Sequence, residues 1–356
     1  TTFAQAYDVS LTGAVNSIST DTTFLNTGAI TVGDESTDSS TFAGGLDTTA
    51  GGTENFAGTV AATDNQIDIG VASVTADATI DGGTGAINTA ALTVADAATL
   101  TVGTGAVGAP TIASVTGANG GGAASNLTLN STGVASVGAV GTNIGTVTVT
   151  QSGGTTFSST VDAVAVTLTD TTGTIQFDGA LTATDLNTAA QGYGVSLLGG
   201  STISNAVTFS NTGTTQIGDA TGDTNTFNGG VTATAGAVTA SGSVVTSEDS
   251  LDLGAVTLVE AQTLTLDTAN TGGGNITVAS LTGVTGGSSE NITLESGSGT
   301  ITVSGAVGTD IGTLTLQENA AGASGAVSLQ GNVAANTLTT FAQAYDVSLT
   351  GAVNSI

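Results

Sequence analysis

The sequence predicts an all-β chain wound as a β-solenoid, and three observations carry that prediction. Residues Thr1–Ile18 (TTFAQAYDVSLTGAVNSI) recur letter for letter at Thr339–Ile356. Short alternations of an apolar residue with Thr are each closed by a Gly, at intervals of about 20 residues. The apolar material is Val, Ile, Leu and Ala with only 3% aromatic residues, which suits many thin stacked layers better than one bulky core.

The longest-range element is the repeat itself. The exact recurrence of Thr1–Ile18 at a spacing of 338 marks the chain as one period of a tandem array, followed by the start of a further copy (339–356). The first residue is Thr, as an internal or processed segment would have. Within the period two halves match again. Thr23–Gly28 aligns with Thr208–Gly213 and Thr41–Gly45 with Thr226–Gly230, at an offset of 185. Ile67–Gly70 aligns with Leu251–Gly254 at 184, Asn126–Leu129 with Asn291–Leu294 at 165, and Gly141–Thr146 with Gly308–Thr313 at 167. Tyr193 aligns with Tyr345 at 152, so Tyr7, Tyr193 and Tyr345 share one position of the half-repeat. The halves are therefore 1–186 and a shorter 187–338. The offset falls in steps of about 19 and about 15, which points to the loss of a whole structural unit each time.

The local pattern supplies that unit. Leu127-Thr-Leu ends at Gly133, Val147-Thr-Val at Gly153, Val166-Thr-Leu at Gly173 and Val207-Thr-Phe at Gly213. In a strand the two apolar residues face inward and the Thr between them faces solvent. Gly at the corners permits positive φ or close approach of neighbouring coils. At about 20 residues per coil, one period holds about 17 coils. A string of β-sandwich modules is the rival fold, but sandwiches do not lose about 15–19 residues and keep their register.

Composition narrows the function. The chain has no Lys, Arg, His, Cys, Met or Trp against 28 acidic residues, a formal charge of −28. Ser-His-Asp and Cys-His catalysis, Schiff-base lysines, zinc sites of His and Cys, and Walker-type loops all need residues that are missing. A polyanion without cations has nothing with which to displace counterions from nucleic-acid phosphates. Disorder is disfavoured by 39% hydrophobic residues and a mean hydropathy of +0.32. No apolar run reaches the length of a membrane-spanning helix.

The strongest candidate sites are two loops reading G-D-x-[ST]-x-D, Gly33–Asp38 and Gly218–Asp223. They place oxygen side chains at alternate positions: Asp34, Ser36 and Asp38, and Asp219, Thr221 and Asp223. Calcium takes six to eight hard oxygen ligands, and such a turn supplies part of that shell. Asp, Ser and Gly also make ordinary Asx turns, which is the competing explanation. Adjacent acids at Asp34–Glu35 and Glu248–Asp249 are the only hint of carboxylate-pair catalysis, and scarce aromatic platforms weigh against a glycosidase. The expectation is a protein without a catalytic site and with no cofactor other than calcium. Threonine runs such as Thr146–Thr150 invite an ice-binding reading, but Thr-x-Thr pairs come irregularly along the chain, as β-propensity on an outward face would produce. The Asn-x-Ser/Thr sequons at Asn126, Asn130, Asn275 and Asn291 are as frequent as chance allows in so Asn- and Thr-rich a chain.

Stretches such as Gly173–Leu186 (GTIQFDGALTATDL) and Gly299–Leu316 (GTITVSGAVGTDIGTLTL) resemble the giant repetitive β-helical surface proteins of prokaryotes, the filamentous-haemagglutinin-like adhesins and autotransporter passengers. That resemblance is one of pattern over the whole chain. It implies a right-handed parallel β-helix, secreted or on the cell surface, and it transfers no functional residue because those proteins share a scaffold and not a site. The expected function is that of a non-enzymatic structural repeat of an extracellular fibre, sheath or surface layer, self-associating with neighbouring repeats or chains. The alternative is the stalk of an adhesin whose binding tip lies elsewhere, with cell-surface or polysaccharide partners.

Overall fold

The computed structural model describes residues 1–106, 108–268, 272–317 and 322–356. Among them there is no helix, and short parallel strands stack as the coils of a β-solenoid, roughly 21 residues to the turn. The chain forms two compact units, Thr1–Asp178 and Gly179–Ile356.

In the first unit one inward column runs Val9, Ile30, Glu54, Ala72, Leu92, Val115, Val140, Val161, each residue paired with the next in a parallel ladder. In the second unit the corresponding column runs Val195, Thr215, Val238, Val256, Leu281, Val307, Val333, Asn354. Each column counts eight coils. The coils are unequal: a short one separates Glu54 from its partner Ala72, and a much longer one separates Leu266 from its partner Leu294.

Strand alternation builds the core. In Ile144–Ser152, Val147 and Val149 are fully buried while Thr148 between them stays half-exposed, as the two-residue period of a pleat requires. Each buried Val or Leu is worth about 1.5–3 kcal/mol relative to exposure. The few aromatic rings stack coil on coil. Phe157 lies flat on Phe177, with centroids 4.8 Å apart. Phe24 meets Phe42 edge-on at 6.4 Å, and Phe209 meets Phe227 edge-on at 6.2 Å. The second and third pairs occupy equivalent positions of the two half-repeats, so the sequence match extends to side-chain geometry.

The fall in the sequence offset is a lost coil. From Ala72 the ladder takes three steps, through Leu92 and Val115, to Val140. From Val256, the equivalent of Ala72, it takes two steps, through Leu281, to Val307, the equivalent of Val140. One coil is absent from the second unit between these points, and register on either side is kept.

The shared tyrosine position closes a local loop. The hydroxyl of Tyr7 accepts the N–H of Phe3 at 2.8 Å, that of Tyr193 the N–H of Ala189 at 2.9 Å, and that of Tyr345 the N–H of Phe341 at 3.0 Å. Tyr193 is fully buried whereas Tyr7 is 38% exposed.

Candidate interaction surface

The outward residues of the inner strands line up into hydroxyl columns. In the first unit Thr59, Thr79, Thr101, Thr128, Thr148 and Thr167 pair one above the other through six consecutive coils. The second unit repeats the device with Ser243, Thr265, Thr293, Thr315 and Thr339. All are half-exposed, at the strand spacing of about 4.8 Å. The sequence hides this column because its steps are unequal, long from Thr101 to Thr128 and short from Thr148 to Thr167. The flanking column is mixed, running Thr99, Asn126, Thr146, Ala165, so Thr-x-Thr pairs do remain irregular.

Three of the four sequon asparagines hold a residue of the next coil. Asn126 Oδ1 accepts the N–H of Thr146 in the next coil at 3.0 Å, and Asn291 Oδ1 accepts that of Thr313 at 2.9 Å. Asn275 Oδ1 accepts both the N–H and the hydroxyl of Thr300.

The two acidic loops have the same construction. Asp38 Oδ2 accepts the N–H groups of Asp34 (3.0 Å) and Glu35 (3.2 Å), and the Asp38 N–H donates to Glu35 O. Asp223 Oδ2 accepts the N–H groups of Asp219 and Ala220, both at 2.9 Å, and its own N–H donates to Ala220 O. The bonds from Asp34 and Glu35 hold the Asp38 carboxyl below its ordinary pKa. Gly33 and Gly218 open the loops at φ +73° and +76°, with the carbonyls of Ala57 and Ser241 standing where a Cβ would be. Asp34, Ser36 and Asp219 are exposed. Thr221 is engaged elsewhere: its hydroxyl donates to Gln262 Oε1 at 2.9 Å and accepts the Thr263 N–H at 3.1 Å. Each loop thus spends one carboxylate oxygen of its last Asp on its own backbone. Among the described residues no three acidic side chains converge on a common point that could hold a metal ion. Asp21, Asp47 and Asp68 do line one open groove in the first unit, where Asp68 is held by Gln66 Nε2 and Asn88 Nδ2 at 2.8 Å.

The adjacent acids Asp34–Glu35 and Glu248–Asp249 are all exposed at coil corners. Two acids that no sequence motif singles out point inward instead. Glu54 occupies the apolar column between Ile30 and Ala72 and is 2% exposed. Thr48 Oγ1 donates to its Oε2 at 2.7 Å, and Gly70 lies so close that any Cβ there would strike Oε1. Burial pushes its pKa up from 4.5 to about 7, outweighing the bonds from Thr48 and the Gly70 N–H. Glu290 is fully buried; its Oε1 accepts the Ala261 N–H at 3.3 Å and its Oε2 has no hydrogen-bond partner among the described residues. Only the alternation parity of the two strands could have flagged these residues.

Set against protein-family models, curated proteins and solved structures, the chain matches none.

Proposed function

We propose that this chain is a non-enzymatic structural repeat of a giant extracellular fibre, sheath or surface layer, in which copies follow one another along a continuous coil stack. The observation that carries the reading is the reuse of one coil sequence in two settings. Residues 9–11 pair upward with Ile30–Val32, and the identical residues 347–349 pair downward with Val327–Leu329. One coil sequence thus fits both the start of a period and the end of the one before it, as an array that works by length requires.

Composition supports the remainder. A chain without Lys, Arg, His or Cys is poor in catalytic groups, and the hydroxyl columns offer regular polar faces for lateral packing of neighbouring stacks. A chain with 28 acids, most of them outward-facing, and no side-chain cation takes its counter-charge from solution, and calcium is the divalent ion we assign to that role, with Asp34, Ser36, Asp38, Asp219, Thr221 and Asp223 as first ligands. Negative-stain images of the purified repeat test the reading: ordered lateral bundles support a fibre or sheath, and single thin rods replace it with the stalk of an adhesin.

A further inference from the structure

We propose that the coil corner around Glu290 binds a calcium ion, with Glu290 Oε2 and the carbonyl oxygens of Thr309 and Asp310 as its protein ligands. The site lies within the second unit, is separate from the loops Gly33–Asp38 and Gly218–Asp223, and does not depend on the array reading.

Glu290 opens a strand, pairs with Ile311 and is 0% exposed. A buried carboxylate needs hydrogen-bond donors for its oxygens or an opposing charge. Oε1 has only the Ala261 N–H, at 3.3 Å, and Oε2 has no donor among the described residues. The chain has no Lys, Arg or His to answer the charge. What Oε2 meets instead is oxygen. The point where a Cβ on Gly283 would stand lies 2.7 Å from Thr309 O and 3.2 Å from Asp310 O, and nearer still to Glu290 Oε2. Three acceptors gathered at one glycine repel one another unless something positive joins them. Thr309 and Asp310 hold φ at +50° and +57°, two successive left-handed residues of which neither is Gly. That conformation is costly, and a ligand bound by the two carbonyls would offset the cost.

The donor set suits calcium, which takes carboxylate and backbone carbonyl oxygens alike and tolerates irregular geometry, whereas magnesium demands a near-ideal octahedron. Thr309 and Asp310 are exposed and line an open groove with Ser289, so water reaches the corner to complete a shell of about six to eight oxygens.

The first unit builds the same corner without the site. Ser125 pairs with Ile144 as Glu290 pairs with Ile311, and it is equally buried. Its hydroxyl, however, donates to Val94 O and Ala95 O, both at 2.9 Å. Asp310 corresponds to Asn143, whose Nδ2 donates to Ala118 O at 2.9 Å. Asp310 has only oxygens in that place, and its Oδ2 accepts the Gly286 N–H at 3.2 Å. Glu260 corresponds to Asp96, and each accepts an N–H from the next coil, of Ser288 and of Gly122. Where the first unit has Asp96, Ser125 and Asn143, the second has Glu260, Glu290 and Asp310. Both exchanges of a neutral residue replace a donor with an acid, the direction that a cation requires.

The first unit also supplies the test. Glu290→Ser copies a corner that this chain already folds, and Glu290→Gln keeps the shape while offering the two carbonyls an amide N–H. Equilibrium dialysis against calcium at matched ionic strength is expected to show the parent holding about one ion per chain more than either variant, with a Kd of about 10⁻⁴–10⁻³ M. Between EDTA and about 10 mM calcium the melting temperature of the parent should rise by about 2–4 °C more than that of the variants, and magnesium should not reproduce this difference. An Asp38→Asn/Asp223→Asn background, which removes the loop carboxylates, should keep the whole difference. Equal calcium uptake and equal melting shifts in the parent and both variants overturn the proposal and leave the buried carboxyl to a proton. A difference that vanishes in the Asp38→Asn/Asp223→Asn background also overturns it, since the ion would then belong to the loops.

Discussion

The Thr48 hydroxyl donates to the Glu54 carboxyl at 2.7 Å, and Glu54 stands in a column of otherwise apolar residues between Ile30 and Ala72. This pair makes the stability of the first unit depend on pH. The Glu54 pKa is raised from 4.5 to about 7, so its neutral form is the one that folding favours. Its contribution is complete below about pH 4.5 and is lost as pH rises through about 7. Glu54→Gln keeps the shape and the Thr48 bond and removes the charge. It should melt like the parent at pH 5 and be more stable at pH 8 by about 1–2 kcal/mol, a figure discounted for residual solvent screening. A variant less stable than the parent at pH 8 would show that the carboxylate is well paired in the fold.

Tyrosine at one repeat position should matter by location. Tyr193 is fully buried with its hydroxyl on the Ala189 N–H, whereas Tyr7 makes the same bond to Phe3 while 38% exposed. Tyr193→Phe leaves that N–H facing a buried ring without a partner and is expected to cost about 1–2 kcal/mol; Tyr7→Phe exposes its N–H to water and should cost less than about 0.5 kcal/mol. Urea denaturation of both variants measures the difference, and equal costs would contradict the distinction drawn between the buried hydroxyl and the exposed one.

Calcium is expected to raise the melting temperature or to drive association. Neighbouring carboxylates about 4.8 Å apart in successive coils repel by about 1 kcal/mol at the dielectric of water, and no side-chain cation offsets this. Thermal melts with a scattering readout, in EDTA and in millimolar calcium at matched ionic strength, decide the matter. Identical melting and identical particle size would return Gly33–Asp38 and Gly218–Asp223 to plain turns closed by Asp38 and Asp223.

Proteolysis should be slow. Trypsin has no cleavage site in a chain without Lys or Arg. Proteinase K has sites in plenty, yet ladders on both sides of each inner strand leave few openings for cleavage. Fragments from cuts throughout the chain within the first minutes of digestion of native material would be incompatible with continuous coils.

The sequence alone determined the coil. Alternation in segments such as Val147-Thr-Val sets which side chains face inward, and the regular spacing of the glycines that end them sets the coil length. The missing coil between Val256 and Val307 and the common role of the three tyrosines were also legible, because repetition compares the chain with itself and needs no coordinates. Only the tertiary structure decided the vertical neighbours. Whether Thr101 stands under Thr128 depends on hydrogen bonds across an unusually long coil, and local spacing cannot count the residues that a corner absorbs. The same holds for the coil-to-coil place of Glu54, whose parity with Phe56 is in the letters but whose seat between Ile30 and Ala72 only the ladders fix, and for Asp38, whose carboxylate is turned onto its own loop by backbone geometry. Strand parity is local and survives in the letters; register between coils is a non-local property, set only when each ladder closes on the one before it.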